Sequence, residues 1–124
     1  DMDARWFAGH TAYTVSKYAM TMTALGLAAE LKGKVASNTL WPRTTIATAA
    51  VNMLGGEALM KVSRTPAIMA DAAHAILTSS AAEVTGNSFL DEDLLRERGQ
   101  TDFDHYSVEP GAKLQTDLFV TERD

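Results

Sequence analysis

The sequence predicts an α/β fold built on a parallel sheet, and three observations carry that expectation. The run from Ala12 to Leu31 has helical composition, no proline and one internal glycine. Gly33 follows it as a C-terminal stop. The stretch 35–40 then reads as a short strand, ended by Trp41-Pro42. A helix, a tight glycine turn and a strand make half of a parallel βαβ unit.

The elements follow in chain order. Residues 1–9, with Trp6 and Phe7, read as a loop. Thr11 is the predicted cap of a long helix over 11–32. Val15, Met22 and Ala29 recur on one face of it, while Tyr18, Leu25 and small residues fill much of the rest. A helix apolar nearly all round is expected to be covered on more than one side, by layers of a larger fold or by another subunit. The stretch 44–54 has a second helical pattern, stopped by Gly55-Gly56, with 57–64 a short helix or loop. Thr65-Pro66 is the expected start of a third helix reaching Thr78. Residues 84–90 form the second strand candidate. Asp91 then caps a short helix to Arg98, with Gly99 as its stop. From Gln100 onward, aromatic and acidic residues suggest an extended tail over a surface. Residues 1–124 are read as part of a single domain without repeats: the long helix, loop and helices over 41–79, and a last strand and tail over 84–124.

Bulk properties exclude several function classes. The 124 residues are 46% hydrophobic and 22% charged, which suits a globular protein and argues against disorder. A net charge of −5 without a basic stripe argues against nucleic-acid binding. Cysteine is absent, so no disulfide framework or thiolate metal site arises. No run reaches the roughly 18 apolar residues of a membrane span. No secretory signal is visible, so a soluble, cytoplasmic protein is the expectation.

The chemistry concentrates at Tyr13-Thr14-Val15-Ser16-Lys17. A tyrosine and a lysine four apart on a helix share a face, and the ammonium there favours the ionised phenol. That makes Tyr13 a candidate general acid/base and Lys17 its partner. The bland alternative is a surface tyrosine above a solvated lysine. Position weighs against it: the pair opens the long helix, which feeds a strand, and Pro42-Arg43-Thr44-Thr45 stands past that strand's C-terminal end. In open α/β sheets, ligands bind at that edge.

Three stretches in this order resemble the C-terminal half of the short-chain dehydrogenase/reductase family. They are Ala12-Tyr13-Thr14-Val15-Ser16-Lys17-Tyr18, Asn38-Thr39-Leu40-Trp41-Pro42-Arg43-Thr44-Thr45-Ile46-Ala47-Thr48, and Thr85-Gly86-Asn87-Ser88-Phe89-Leu90-Asp91-Glu92. The Trp-Pro loop and the Thr-Gly-Asn strand are most similar to its hydroxysteroid dehydrogenase-like branch. The resemblance implies half of a Rossmann-like doubly wound sheet, about two strands with several helices, whose nucleotide-binding half is not in this sequence. It implies an NAD(P)-dependent oxidoreductase interconverting a secondary alcohol and a carbonyl, and the apolar loop region after Thr48 suggests a lipid-like substrate. Tyr13 would be the acid/base and Lys17 would also bond the nicotinamide ribose. Pro42, Arg43, Thr44, Ile46 and Thr48 would line the nicotinamide side of NAD or NADP, the preference unassigned. Pairing of the long helix would make a homodimer or homotetramer.

The sequence also departs from the family pattern. Arg43 follows Pro42 where relatives carry glycine, leaving it to face a phosphate or solvent. Asp91-Glu92-Asp93 replaces a common Asp-Gly-Gly. The family's catalytic serine would lie ahead of residue 1, and Ser16 is not that serine. His10, His74 and His105 are too scattered for a metal site, and a helix N-terminus explains the acidic cluster without a cation. The 124 residues alone are expected to be inactive. The rival reading is a non-enzymatic association module that keeps the helix and has lost the chemistry.

Overall fold

The computed structural model describes residues 3–121. They comprise helices α1 (Thr11–Glu30), α2 (Ala49–Lys61), α3 (Ala67–Leu77) and α4 (Asp91–Glu97), with strands β1 (Thr39–Trp41) and β2 (Ser88–Leu90). The strands pair in parallel as a two-stranded sheet, which bears out the predicted α/β class. The chain forms two compact units, each assembled from separated stretches. One contains residues 3–39 and 79–89, the other 40–78 and 90–121.

The first unit is organised around α1. Thr11 does not cap this helix; His10 holds the N-cap position without a side-chain capping bond, and Thr11 is the first helical residue. The hydroxyl of Thr11 instead donates to Phe7 O at 3.1 Å, one turn back. Thr14, fully buried, donates to Trp6 O at 2.6 Å and fastens the preceding 3-10 turn (Ala4–Trp6). Phe7 packs its ring 6.2 Å from that of Tyr18. The helix stops as expected, with Gly33 at φ +80°, a conformation that disfavours other residues. Ahead of β1, Asn38 adds side-chain bonds to the backbone ones that Gly86 N–H makes to Ser37 O and Thr39 N–H to Asn87 O. Its amide donates to Val84 O at 2.9 Å, and its Oδ1 accepts from the backbone and side-chain nitrogens of Asn87. The strands are shorter than the predicted 35–40 and 84–90. Gly86, at φ +75°, lies where an added Cβ would stand 3.7 Å from the Ala28 methyl.

The second unit holds most of the core. Helix α3 packs on α4, burying Ile68 and Ala72 with Leu94 and Leu95. Residues 44–47 do not join a helix as their pattern suggested. Thr44 bridges Thr116 and Ile46 bridges Arg64, so this stretch is extended, and Thr48 caps α2 through the Val51 N–H. Helical geometry breaks within the Gly55-Gly56 pair, as expected, and a second helical stretch follows it. The chain kinks at Gly56, at φ +60° and ψ −157°, then resumes to Lys61. Pro66 occupies the N-cap position of α3, without a side-chain bond from Thr65. Gly99, at φ +94°, terminates α4 as expected. The tail is less superficial than predicted. A 3-10 turn (Asp104–Tyr106) buries Tyr106, and Phe103 is buried beside it, their rings 6.1 Å apart.

Candidate functional site

The predicted site residues fall into two groups, one in each unit. In the first unit, Tyr13 and Lys17 share one face of α1, with Lys17 Nζ 5.4 Å from the centre of the Tyr13 ring. Tyr13 is 52% exposed. Ser16 donates to Tyr13 O at 2.7 Å within the helix, which accounts for its hydroxyl without any chemistry. His10 stands at the start of the same helix, and His74, on α3, is exposed.

In the second unit, the stretch 42–48 leaves β1 and is held along its main chain. Arg43 N–H donates to Asp91 Oδ1 at 2.9 Å, and Arg43 O accepts from Asp117 N at 3.0 Å. Thr45 N–H donates to Gln115 O, while Thr45 O accepts from Arg64 N; Ala47 N–H donates to Arg64 O at 2.7 Å. The Arg43 guanidinium makes a two-bond pair with Asp93, Nε to Oδ1 at 3.0 Å and a terminal nitrogen to Oδ2 at 2.5 Å. Thr44 is buried and its hydroxyl has no hydrogen-bond partner among the described residues. Thr48 is exposed, and its oxygen accepts at the head of α2 while its hydroxyl proton stays available.

Sequence reasoning missed the polar centre beneath this loop. Asp91 to Asp93 is more than a helix N-terminus. Buried Glu92 pairs with Arg64 and, at 2.8 Å, with Arg96, and both guanidiniums lie over the Phe103 ring. Burial pushes the Glu92 carboxyl upward, but the bonds from Arg64 and Arg96 outweigh it and hold the group below its ordinary value. Asp91 goes the other way. Its carboxyl is fully buried, and desolvation raises its pKa despite bonds from the backbone of Arg43 and Glu92. Tyr106 is likewise raised, by burial and by its bond to Asp71 at 2.6 Å. These pairings join residues up to fifty positions apart, and only the proximity of acids to one another was visible in the sequence. Near the chain's end, Phe119 stands edge-on to Trp41, with ring centres 5.6 Å apart, in a left-handed backbone conformation (φ +78°).

The donor set can be tested against a nicotinamide nucleotide. Exposed Tyr13 and half-exposed Lys17 offer a hydroxyl and an ammonium suited to ribose and carbonyl oxygens. Thr48 offers a hydroxyl donor suited to a carboxamide. Asp93 engages one edge of the Arg43 guanidinium, through Nε and one terminal nitrogen. Among the described residues, no group of three acidic or histidine side chains is placed to hold a metal, and no helix is long and apolar enough to cross a membrane.

No family model matches the chain. Over 117 residues, 94% of its length, it is 53% identical to hydroxysteroid dehydrogenase-like protein 2 of Xenopus tropicalis, of which it covers 28%. A solved short-chain dehydrogenase from Mycobacterium thermoresistibile is 47% identical with a TM-score of 0.86, over 98% of this chain and 43% of that one. A second solved structure, from Xanthomonas campestris, is 46% identical with a TM-score of 0.89, over 98% of this chain and 45% of that one. The chain thus spans under a third of the curated relative and under half of the solved ones. Identity near one half and a shared backbone, both sustained along almost all of the chain, make it part of a member of the short-chain dehydrogenase/reductase family.

Proposed function

We propose that the complete protein carrying this chain is an NAD(P)-dependent oxidoreductase that interconverts a secondary alcohol and a carbonyl compound of lipid-like character. The observation that carries this reading is the placement of Tyr13 and Lys17 on one exposed face of α1. A bound nicotinamide supplies or accepts the hydride. Tyr13 Oη gives its proton to the carbonyl oxygen in reduction and takes one from the alcohol in oxidation. The Lys17 ammonium stabilises the phenolate and donates to ribose hydroxyls. Pro42, Thr44, Ile46 and Thr48 form the nicotinamide side, with the Thr48 hydroxyl as donor to the carboxamide. The lipid-like preference follows from the apolar surface of α2, where Met53 is 82% exposed and Leu54 79%. These 124 residues contain no glycine-rich phosphate turn, so by themselves they are expected to be inactive.

The test is Tyr13→Phe in the full-length protein. Turnover is expected to fall by at least the roughly 10²–10⁴-fold range of a general acid/base. NADH or NADPH binding, followed by fluorescence, should stay within a factor of about two. Turnover near the wild-type rate would refute the role of Tyr13.

A second reading has its own support. Val15, Met20, Met22 and Leu25 are exposed along α1, as an association surface for further copies of the chain would be. A full-length protein that associates through this helix but binds neither nucleotide would favour that non-enzymatic module.

A further inference from the structure

We infer that Arg43 and Asp93 are a positioning pair for the 42–48 loop, and that Arg43 acts through Asp93 instead of on a cofactor phosphate. The inference rests on the reading of that loop as the nicotinamide side of the site. Arg43 is held within its own unit at its backbone N–H, its carbonyl and one edge of its guanidinium. The N–H is bound by Asp91 Oδ1, the carbonyl by Asp117 N, and the guanidinium by both carboxylate oxygens of Asp93. The pair is largely withdrawn from water, with the Arg43 side chain 13% exposed and that of Asp93 30%. A two-bond arginine–carboxylate pair fixes both direction and distance, which a single ammonium contact would not.

Asp91 and Asp93 lie in the first turn of α4, which packs against α3. The loop is thereby referenced to the most buried part of its unit. Beyond Arg43 it is gripped at Thr45 and Ala47 by Arg64 and Gln115, leaving the Thr48 hydroxyl at its far end as the accessible donor. The pair therefore sets where residues 44–48 stand, and it is indifferent to whether the cofactor carries an extra phosphate.

The test uses the full-length protein with Asp93→Asn, Arg43→Gln, the two combined, and the reversal Arg43→Asp with Asp93→Arg. Each single change should raise KM for NADH and for NADPH by about tenfold, below the hundredfold cost of a 1 Å misplacement. Each should also speed amide hydrogen exchange in residues 42–48 while exchange in α3 stays unchanged. The combined variant should be no worse than either single one, and the reversal should recover part of the loss. Arg43→Gln that weakens NADPH alone, with Asp93→Asn silent, would overturn the inference in favour of a phosphate contact. Additive losses, or exchange in 42–48 unmoved by either change, would overturn it as well. Failure of the site reading shows separately, as Tyr13→Phe that still turns over, and leaves the exchange and coupling results to judge the pair.

Discussion

Helix α1 has twenty residues and buries two, Thr14 and Ala28; helix α4 has seven and buries four, Asp91, Glu92, Leu94 and Leu95. The longer helix carries the proposed chemistry and keeps its apolar side chains open, whereas the shorter one anchors its unit with buried charge. Hydrophobic burial ordinarily supplies most helical stability, so α1 depends on backbone bonds, Thr14 and whatever surface comes to cover it. Helix α4 is too short to persist by propensity and depends on Arg64, Arg43 and the α3 contact. The contrast separates two uses of a helix: one displays reactive groups, the other fixes a loop.

The largest expected effect falls on the buried side. Glu92→Ala leaves Arg64 without its partner in a site where both side chains are under 10% exposed, and should cost about 3–5 kcal/mol in urea unfolding. Its pH dependence has a definite sign. The folded-state pKa of Glu92 lies below the ordinary 4.5, so its stabilisation is full above that pH and is lost as pH falls through the folded value. Asp91, raised from 3.8, opposes this, because its buried charge disfavours folding and the cost lifts on acidification. Glu92→Gln should therefore lose stability at neutral pH and show a shallower acid limb than the wild type. Parallel acid limbs would break the assignment of Glu92 as the acid-sensitive group.

A smaller effect is expected at Tyr106→Phe, which removes the bond to Asp71 while keeping the ring buried. About 1 kcal/mol is the expected loss, measured in the same way. The smallest belongs to α1. Met22, 71% exposed, changed to Ala should stay within about 0.5 kcal/mol in this chain. If full-length protein instead loses several-fold more stability, and loses it in a concentration-dependent way, another copy covers that face. That outcome would sharpen the contrast by showing that α1 gains its burial from outside the chain.

How legible each region was follows from the range of its interactions. The stop at Gly33, the end of α4 at Gly99 and the Tyr13–Lys17 face arise within a turn or two of chain, so composition and spacing sufficed. The break at Gly55-Gly56 was legible for the same local reason, since Gly56 leaves helical geometry before a second helical stretch begins. Residues 44–47 look helical in composition, yet bridges to Arg64 and Thr116 hold them extended, as long-range pairing overrides weak propensity. Phe103 and Tyr106 sit in an acidic, polar neighbourhood that reads as surface, and their burial depends on α3 and on Arg64 from a distant segment. Arg43 is the clearest case. Its sequence context suggested phosphate or solvent, and its partner lies fifty residues on.

That separation has a consequence in time. A chain made at roughly 5–20 residues per second exposes Arg43 about 3–10 seconds before Asp93 exists to receive it. Helix–coil relaxation takes about 0.1–1 μs, so α1 can sample its reactive face almost as soon as it emerges. The 42–48 loop must wait, its geometry undecided through most of the synthesis of this segment. Over those seconds the half-made unit exposes an unpaired arginine and an apolar α3, the state in which a holding chaperone would find it.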